Sequence, residues 1–291
     1  MWGSGASRCV EATGTSAARP DGRWYLAALY GSASRGVWAV SYAIELFDRF
    51  YLFSGVFRWL HILVGIVWIG ILYYFNLVQV PAFAAFGDNA AARNLALDQV
   101  ARRALWWFRW AALSTFVFGL LITGQEDYWS NDFFKRATGL SILIGMILGT
   151  IMFLNVWGVI WRKQKVVLAN AHGVLNGQAA DPGAAPAGRL ALLASRQNFI
   201  FSVPMLWFMV GTAHFYVSDG FGSDLSSGKV AAWLIISLAI IAVLELNALG
   251  VFGTKAGQVN LWPYENHRNA IISAFVLWAI FWLLSELILK A

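Results

Sequence analysis

Charge is scarce in this chain. Asp, Glu, Lys and Arg make up 12% of its 291 residues and hydrophobic residues 59%, whereas a soluble domain usually carries about 25% charged residues. So much apolar surface cannot stay in water, which excludes an ordinary soluble enzyme, a nucleic-acid-binding domain and a disordered tail. The net charge of +6 then belongs to loops and to contacts with membrane lipid, not to a nucleic-acid partner. Cysteine is nearly missing: with Cys9 alone there is no intrachain disulfide, and without a C-x-x-C-H run there is no covalently attached c-type haem. Glycine-rich nucleotide loops, nucleophile elbows and zinc motifs are also absent from the sequence.

What is present is long apolar runs. Windows of about 19 residues pick out six stretches, near residues 56–80, 105–123, 138–161, 198–217, 230–252 and 269–289. Each is close to the roughly 20 residues that cross a bilayer as a helix, and in lipid an unpaired backbone amide excludes other conformations. The expected fold is an all-α, polytopic membrane helix bundle of about six transmembrane helices over residues 47–291. Residues 1–46 mix Gly, Ser, Ala and Arg, lack the pattern of a cleaved signal peptide, and are expected to form a surface or disordered extension. Arg35 interrupts a weak further apolar stretch at 24–47. Residues 81–103 suit a helix lying in the interface, and the Gly, Ala and Pro-rich run near 176–188 reads as a flexible linker.

Six spans place both termini on one side. Loops after spans one, three and five carry eleven Lys and Arg, from Arg93 to Arg268, against six on the opposite face outside the N-terminal extension. The positive-inside rule puts both termini outside, which in a bacterial inner membrane means the periplasm.

Two of the four histidines fall inside spans. His61 lies about a turn into the first and His214 near the end of the fourth, and because these spans run in opposite directions both imidazoles arrive at a similar depth. Neutral imidazoles on neighbouring helices are what axial ligation of haem b iron requires, and Gly65, Gly70 and Gly211 leave room for a macrocycle. Structural hydrogen bonding to a carbonyl or water is the other reading of the same pair. His172 and His267 fall in loops and form a weaker second pair. Toward the other membrane face Arg109, Asn155, Glu245 and Asn247 share a depth, so Glu245 is either half of a buried ion pair with Arg109 or a proton-relay group. Pro204 is expected to kink the fourth span. Of the 16 tryptophans, most suit interfacial belts, while Trp68, Trp207 and Trp278 lie deeper, where they pack the core or a cofactor.

The segments RWLHILVGIVWIG, WWFRW and SVPMLWFMVGTAHF resemble the membrane domain of bacterial urate hydroxylases, the urate oxidase N-terminal family, from about Phe47 to the end of the fourth span and more loosely beyond. The resemblance matches the family's first-span histidine to His61 and the histidine of its Pro-x-x-x-x-M-x-x-x-H pattern to His214. It implies a redox membrane protein working with a periplasmic c-type cytochrome, a segment that this chain lacks. Where the family has a Lys-Trp-Glu run, this chain has Arg109, Trp110 and Ala111. The L-H-x6-W-x-G of the first span also resembles small membrane haem proteins that oxidise protoporphyrinogen. The leading expectation is therefore an oxidoreductase-like electron carrier holding haem b between His61 and His214. The alternatives are a non-catalytic anchor or accessory subunit of a larger respiratory or photosynthetic redox complex, and a transporter coupled through Glu245.

Overall fold

The computed structural model describes residues 51–124, 129–218, 220–222 and 224–290. The expected extension, residues 1–46, lies outside the described residues. Six long helices account for most of the rest: α1 (Tyr51–Ala85), α2 (Ala90–Ile122), α3 (Ala137–Leu175), α4 (Ala184–His214), α5 (Ser227–Ala248) and α6 (His267–Ile288). Among the described residues there is no strand beyond a single bridge between Phe221 and Lys290. The bundle is turned inside out relative to a soluble protein. Ile66, Val210, Ile235, Val243 and Leu287 face outward, while Gln197, Asn198, Ser202 and Ser237 are fully buried. This is the arrangement that lipid demands, since it solvates hydrocarbon and leaves polar groups to find partners inside.

Five helices, all but α4, are long and apolar enough to cross a membrane. The fourth expected span is more polar because α4 is the central helix. It packs along both halves of α3 and along α6, and touches α1 and α5. A helix surrounded by protein needs no lipid-compatible surface, so its Arg196, Gln197 and Asn198, all buried, are tolerated. Pro204 is buried inside α4, and the helix continues through it to His214.

The helices overrun the apolar stretches that announced them. The expected interfacial helix between spans one and two becomes the end of α1 and the first turns of α2, separated by a short turn at Gly87, whose φ of 53° suits glycine. The expected linker is only half a linker. Helix α4 starts at Ala184, with Pro186 in its first turn, where no amide donor is needed. The remaining residues are held by the Asp181 amide on Asn170 Oδ1 at 2.7 Å and the Gly183 amide on Asp181 Oδ1 at 2.7 Å.

Four stretches have the wider turns of a π-helix: Tyr51–Phe57 and Phe75–Gln79 in α1, Leu97–Ala101 in α2 and Asn155–Ile160 in α3. All but the first contain a buried polar side chain, Asn76, Asp98 and Asn155 respectively. Widened turns of this kind often mark functional positions, because they re-aim a side chain that a regular helix would direct elsewhere.

Candidate functional site

Helix α1 pairs most extensively with α2, and His61 lies in that seam. Its Nδ1 is 2.8 Å from the backbone oxygen of Thr115. A carbonyl only accepts, so the ring donates from Nδ1 and Nε2 keeps its lone pair. Glycine at position 119 makes the approach possible, because a Cβ there would meet His61 Cε1 at 3.1 Å and Nδ1 at 3.2 Å.

Contacts between α1 and α4 fix the height of the second histidine. Tyr73 Oη is 3.0 Å from Ser202 Oγ, and Asn76 Nδ2 donates to Ser195 Oγ at 3.1 Å, an antiparallel register. His61 stands twelve residues before Tyr73, and His214 twelve residues after Ser202. Both are therefore about 18 Å along their helices from the shared reference point. The structure places the two rings at matched height, as the span directions imply. It does not join them: His61 bonds to α2, and His214 is exposed at the last turn of α4.

Beside the end of α4, Trp207 donates to Tyr216 Oη at 3.1 Å, and Tyr216 donates to Ser285 Oγ at 3.0 Å. The Trp207 and Trp278 rings meet edge to face, with centroids 5.6 Å apart. These two expected deep indoles pack on each other. Trp68 is buried, and its Nε1 has no hydrogen-bond partner.

The second expected constellation is only partly assembled. Asn155 Nδ2 donates to Glu245 Oε2 at 3.1 Å and to Asn198 Oδ1 at 2.9 Å, and Asn198 Nδ2 donates to the Met152 carbonyl at 2.9 Å. Asn247 is elsewhere, exchanging hydrogen bonds of 2.7 Å with Asn260. The expected Arg109–Glu245 ion pair is not formed. Helix α2 packs on α1 and α3, whereas α5 packs on α3, α4 and α6, so equal depth puts these two residues on different sides of the bundle. Arg109 lies instead among indoles, its Cζ 3.7 Å from the centre of the Trp161 ring.

Three buried polar residues anchor α4: Gln197 and Asn198, which carried no expectation, and Arg196, counted among the loop cations but buried inside the helix. Tyr264 donates to Gln197 Oε1 at 2.6 Å, and Arg196 Nη1 donates to the Tyr264 carbonyl. Arg189 pairs with Glu265 at 2.8 Å. These bonds fasten the loop between α5 and α6 to α4. Burial pushes the Tyr264 phenol above its ordinary range, so it remains a neutral donor. The signal was in the sequence: three successive polar residues spread over more than half a helix circumference, which an isolated lipid-facing span would not carry.

His172 and His267, expected in loops, both lie on helices, within α3 and at the start of α6, and do not form a second ligand pair. His172 Nδ1 is 3.5 Å from Asp98 Oδ2 in a surface site that also holds Arg102, and His267 is exposed at the first residue of α6. Among the described residues, no cluster of three or more His, Cys, Asp or Glu could hold a metal ion. No family model, no curated protein and no solved structure matches this chain.

Proposed function

We propose that the protein is a multi-pass redox protein of the bacterial inner membrane, with both termini in the periplasm, that binds haem b through His61 and His214 and passes electrons toward a periplasmic acceptor. The observation that carries this reading is the hydrogen bond from His61 Nδ1 to the Thr115 carbonyl. A histidine that ligates iron through one nitrogen characteristically donates from the other, which fixes the ring and raises its basicity. The matched height of His214 and the close fit of His61 against Gly119 support a role for the two in holding the group. Bound there, the haem would supply one-electron chemistry, and the protein would supply the ligands and a dry surrounding. The sequence likeness to urate hydroxylases, which often continue into a periplasmic c-type cytochrome domain, supports the same direction of electron flow.

The test is the visible spectrum of the purified full chain. A Soret band with sharp reduced bands is expected, lost or shifted in His61→Ala and in His214→Ala and unchanged in His172→Ala. Wild-type protein purified without haem, from cells supplied with a haem precursor, sinks the proposal.

A further inference from the structure

Arg109 has an unusual setting for a cation inside a membrane helix. Its guanidinium carbon lies 3.7 Å from the ring centre of Trp161, 5.5 Å from that of Trp157 and 5.7 Å from that of Trp110. Its Nε and Nη1 are buried without a hydrogen-bond partner, as is Trp157 Nε1. Beside this cage an open cleft of ≈ 480 Å³ is lined by Leu154, Trp157, Gly158, Trp161, Arg162 and Lys165. No carboxylate among the described residues forms an ion pair with Arg109, Arg162 or Lys165. Arg109 and Lys165 thus share the Trp161 ring, at 3.7 and 6.0 Å from its centre, with exposed Arg162 beside them.

The cleft has a polarity along its length. Leu154 and Gly158, both outward-facing, form the apolar end within the membrane-spanning part of α3, and Arg162 and Lys165 form the cationic end where the helix leaves it. Exposed Trp106, Trp107 and Trp110 on α2 mark the headgroup level, where indoles concentrate. Gly158 leaves the floor open, since a Cβ there would meet no atom within 4 Å. An occupant that satisfies both ends must be anionic at the headgroup level and hydrocarbon below it.

We propose that this cleft binds an anionic membrane phospholipid, its phosphodiester held by Arg162 and Lys165 beside the Arg109 cage and one acyl chain laid over Gly158 and Leu154. Basic pockets at helix ends on one membrane face are the chemistry that recognises such headgroups, and guanidinium matches phosphate oxygens in a fork. The assignment is independent of haem.

The experiment follows thermal unfolding of the full chain in neutral detergent with added phosphatidylglycerol, phosphatidylcholine or inorganic phosphate. Phosphatidylglycerol is expected to raise Tm by several degrees, and the other two to leave it unmoved. The double variant Arg162→Gln/Lys165→Gln removes the charge, and Gly158→Leu fills the floor without changing charge. Each should abolish the phosphatidylglycerol increment while keeping the Tm seen in phosphatidylcholine. If Gly158→Leu unfolds the chain, the charge variant decides alone, since its two residues are exposed. Equal shifts with phosphatidylcholine or with inorganic phosphate overturn the proposal, as does an increment that survives in the charge variant.

Discussion

Asn155 on α3 holds the Glu245 carboxyl on α5 with a single amide hydrogen bond of 3.1 Å, and no Lys or Arg among the described residues pairs with it. An amide partner serves either protonation state of the acid, whereas a guanidinium would commit it to the ionised one. This arrangement favours a carboxyl that exchanges a proton over one that is half of a fixed pair.

Glu245→Gln keeps an oxygen able to accept from Asn155 and leaves no buried charge without its partner. The expected cost is therefore about 1 kcal/mol or less, read from thermal unfolding in detergent. Because Arg109 and Glu245 do not touch, the Arg109→Gln and Glu245→Gln effects should add in the double variant within about 0.5 kcal/mol. A larger coupling would restore the ion pair.

Gly119→Ala tests the His61 seat. The new methyl meets the imidazole at 3.1 Å, so the ring or α2 must move. Overpacking of this kind costs about 1–3 kcal/mol. If His61 holds haem as proposed, its displacement would also shift the haem bands, a readout that simple destabilisation does not produce. Gly55→Ala, where a Cβ meets nothing within 4 Å, should leave the spectrum unchanged.

Tyr264→Phe removes the donor to buried Gln197 Oε1 and should cost about 1–3 kcal/mol. The same phenol imposes an alkaline limit. Burial raises its pKa in the folded protein, so above about pH 10, where an unfolded tyrosine ionises, the unfolded chain holds fewer protons. Stability then falls as pH rises and is flat below that point. Tyr264→Phe should flatten the alkaline limb of a Tm-against-pH curve, and a limb as steep as in wild type would assign it to another group.

If α4 makes a sixth crossing, the Lys and Arg asymmetry predicts that a reporter fused after Ala291 is active only if it works in the periplasm. Activity of a cytoplasmic reporter at the same position would mean an odd number, with residues 24–47 or α4 as the segment miscounted.

Hydropathy made five crossing helices legible, because burial in lipid is a property of each segment alone. It located their ends poorly: α3 runs on to Leu175 and α2 begins at Ala90, since a helix does not stop where the bilayer does. The height of His61 against His214 was legible from span direction, and the Tyr73–Ser202 contact agrees with it. The order of helices around the bundle was not. Depth is one coordinate, and two residues at one depth can face different neighbours, as Arg109 and Glu245 do. The Asn155–Glu245 contact was expected as a neighbourhood, while Asn198, which completes it, was hidden in a run of polar residues at the edge of a span.

The bond from Arg196 to the Tyr264 carbonyl joins residues 68 positions apart, and this separation has a consequence for biogenesis. When α4 leaves the ribosome, the carbonyl that will receive its arginine has not been made. Polar residues such as Arg196, Gln197 and Asn198 lower the tendency of a segment to leave the translocon for lipid unaided. Helix α4 should therefore linger beside the translocon, leaning on α3, and be released into the bilayer only after the chain has grown past Tyr264. Truncations ending before that residue should leave α4 open to cross-linking with the translocon, and truncations ending after α6 should not.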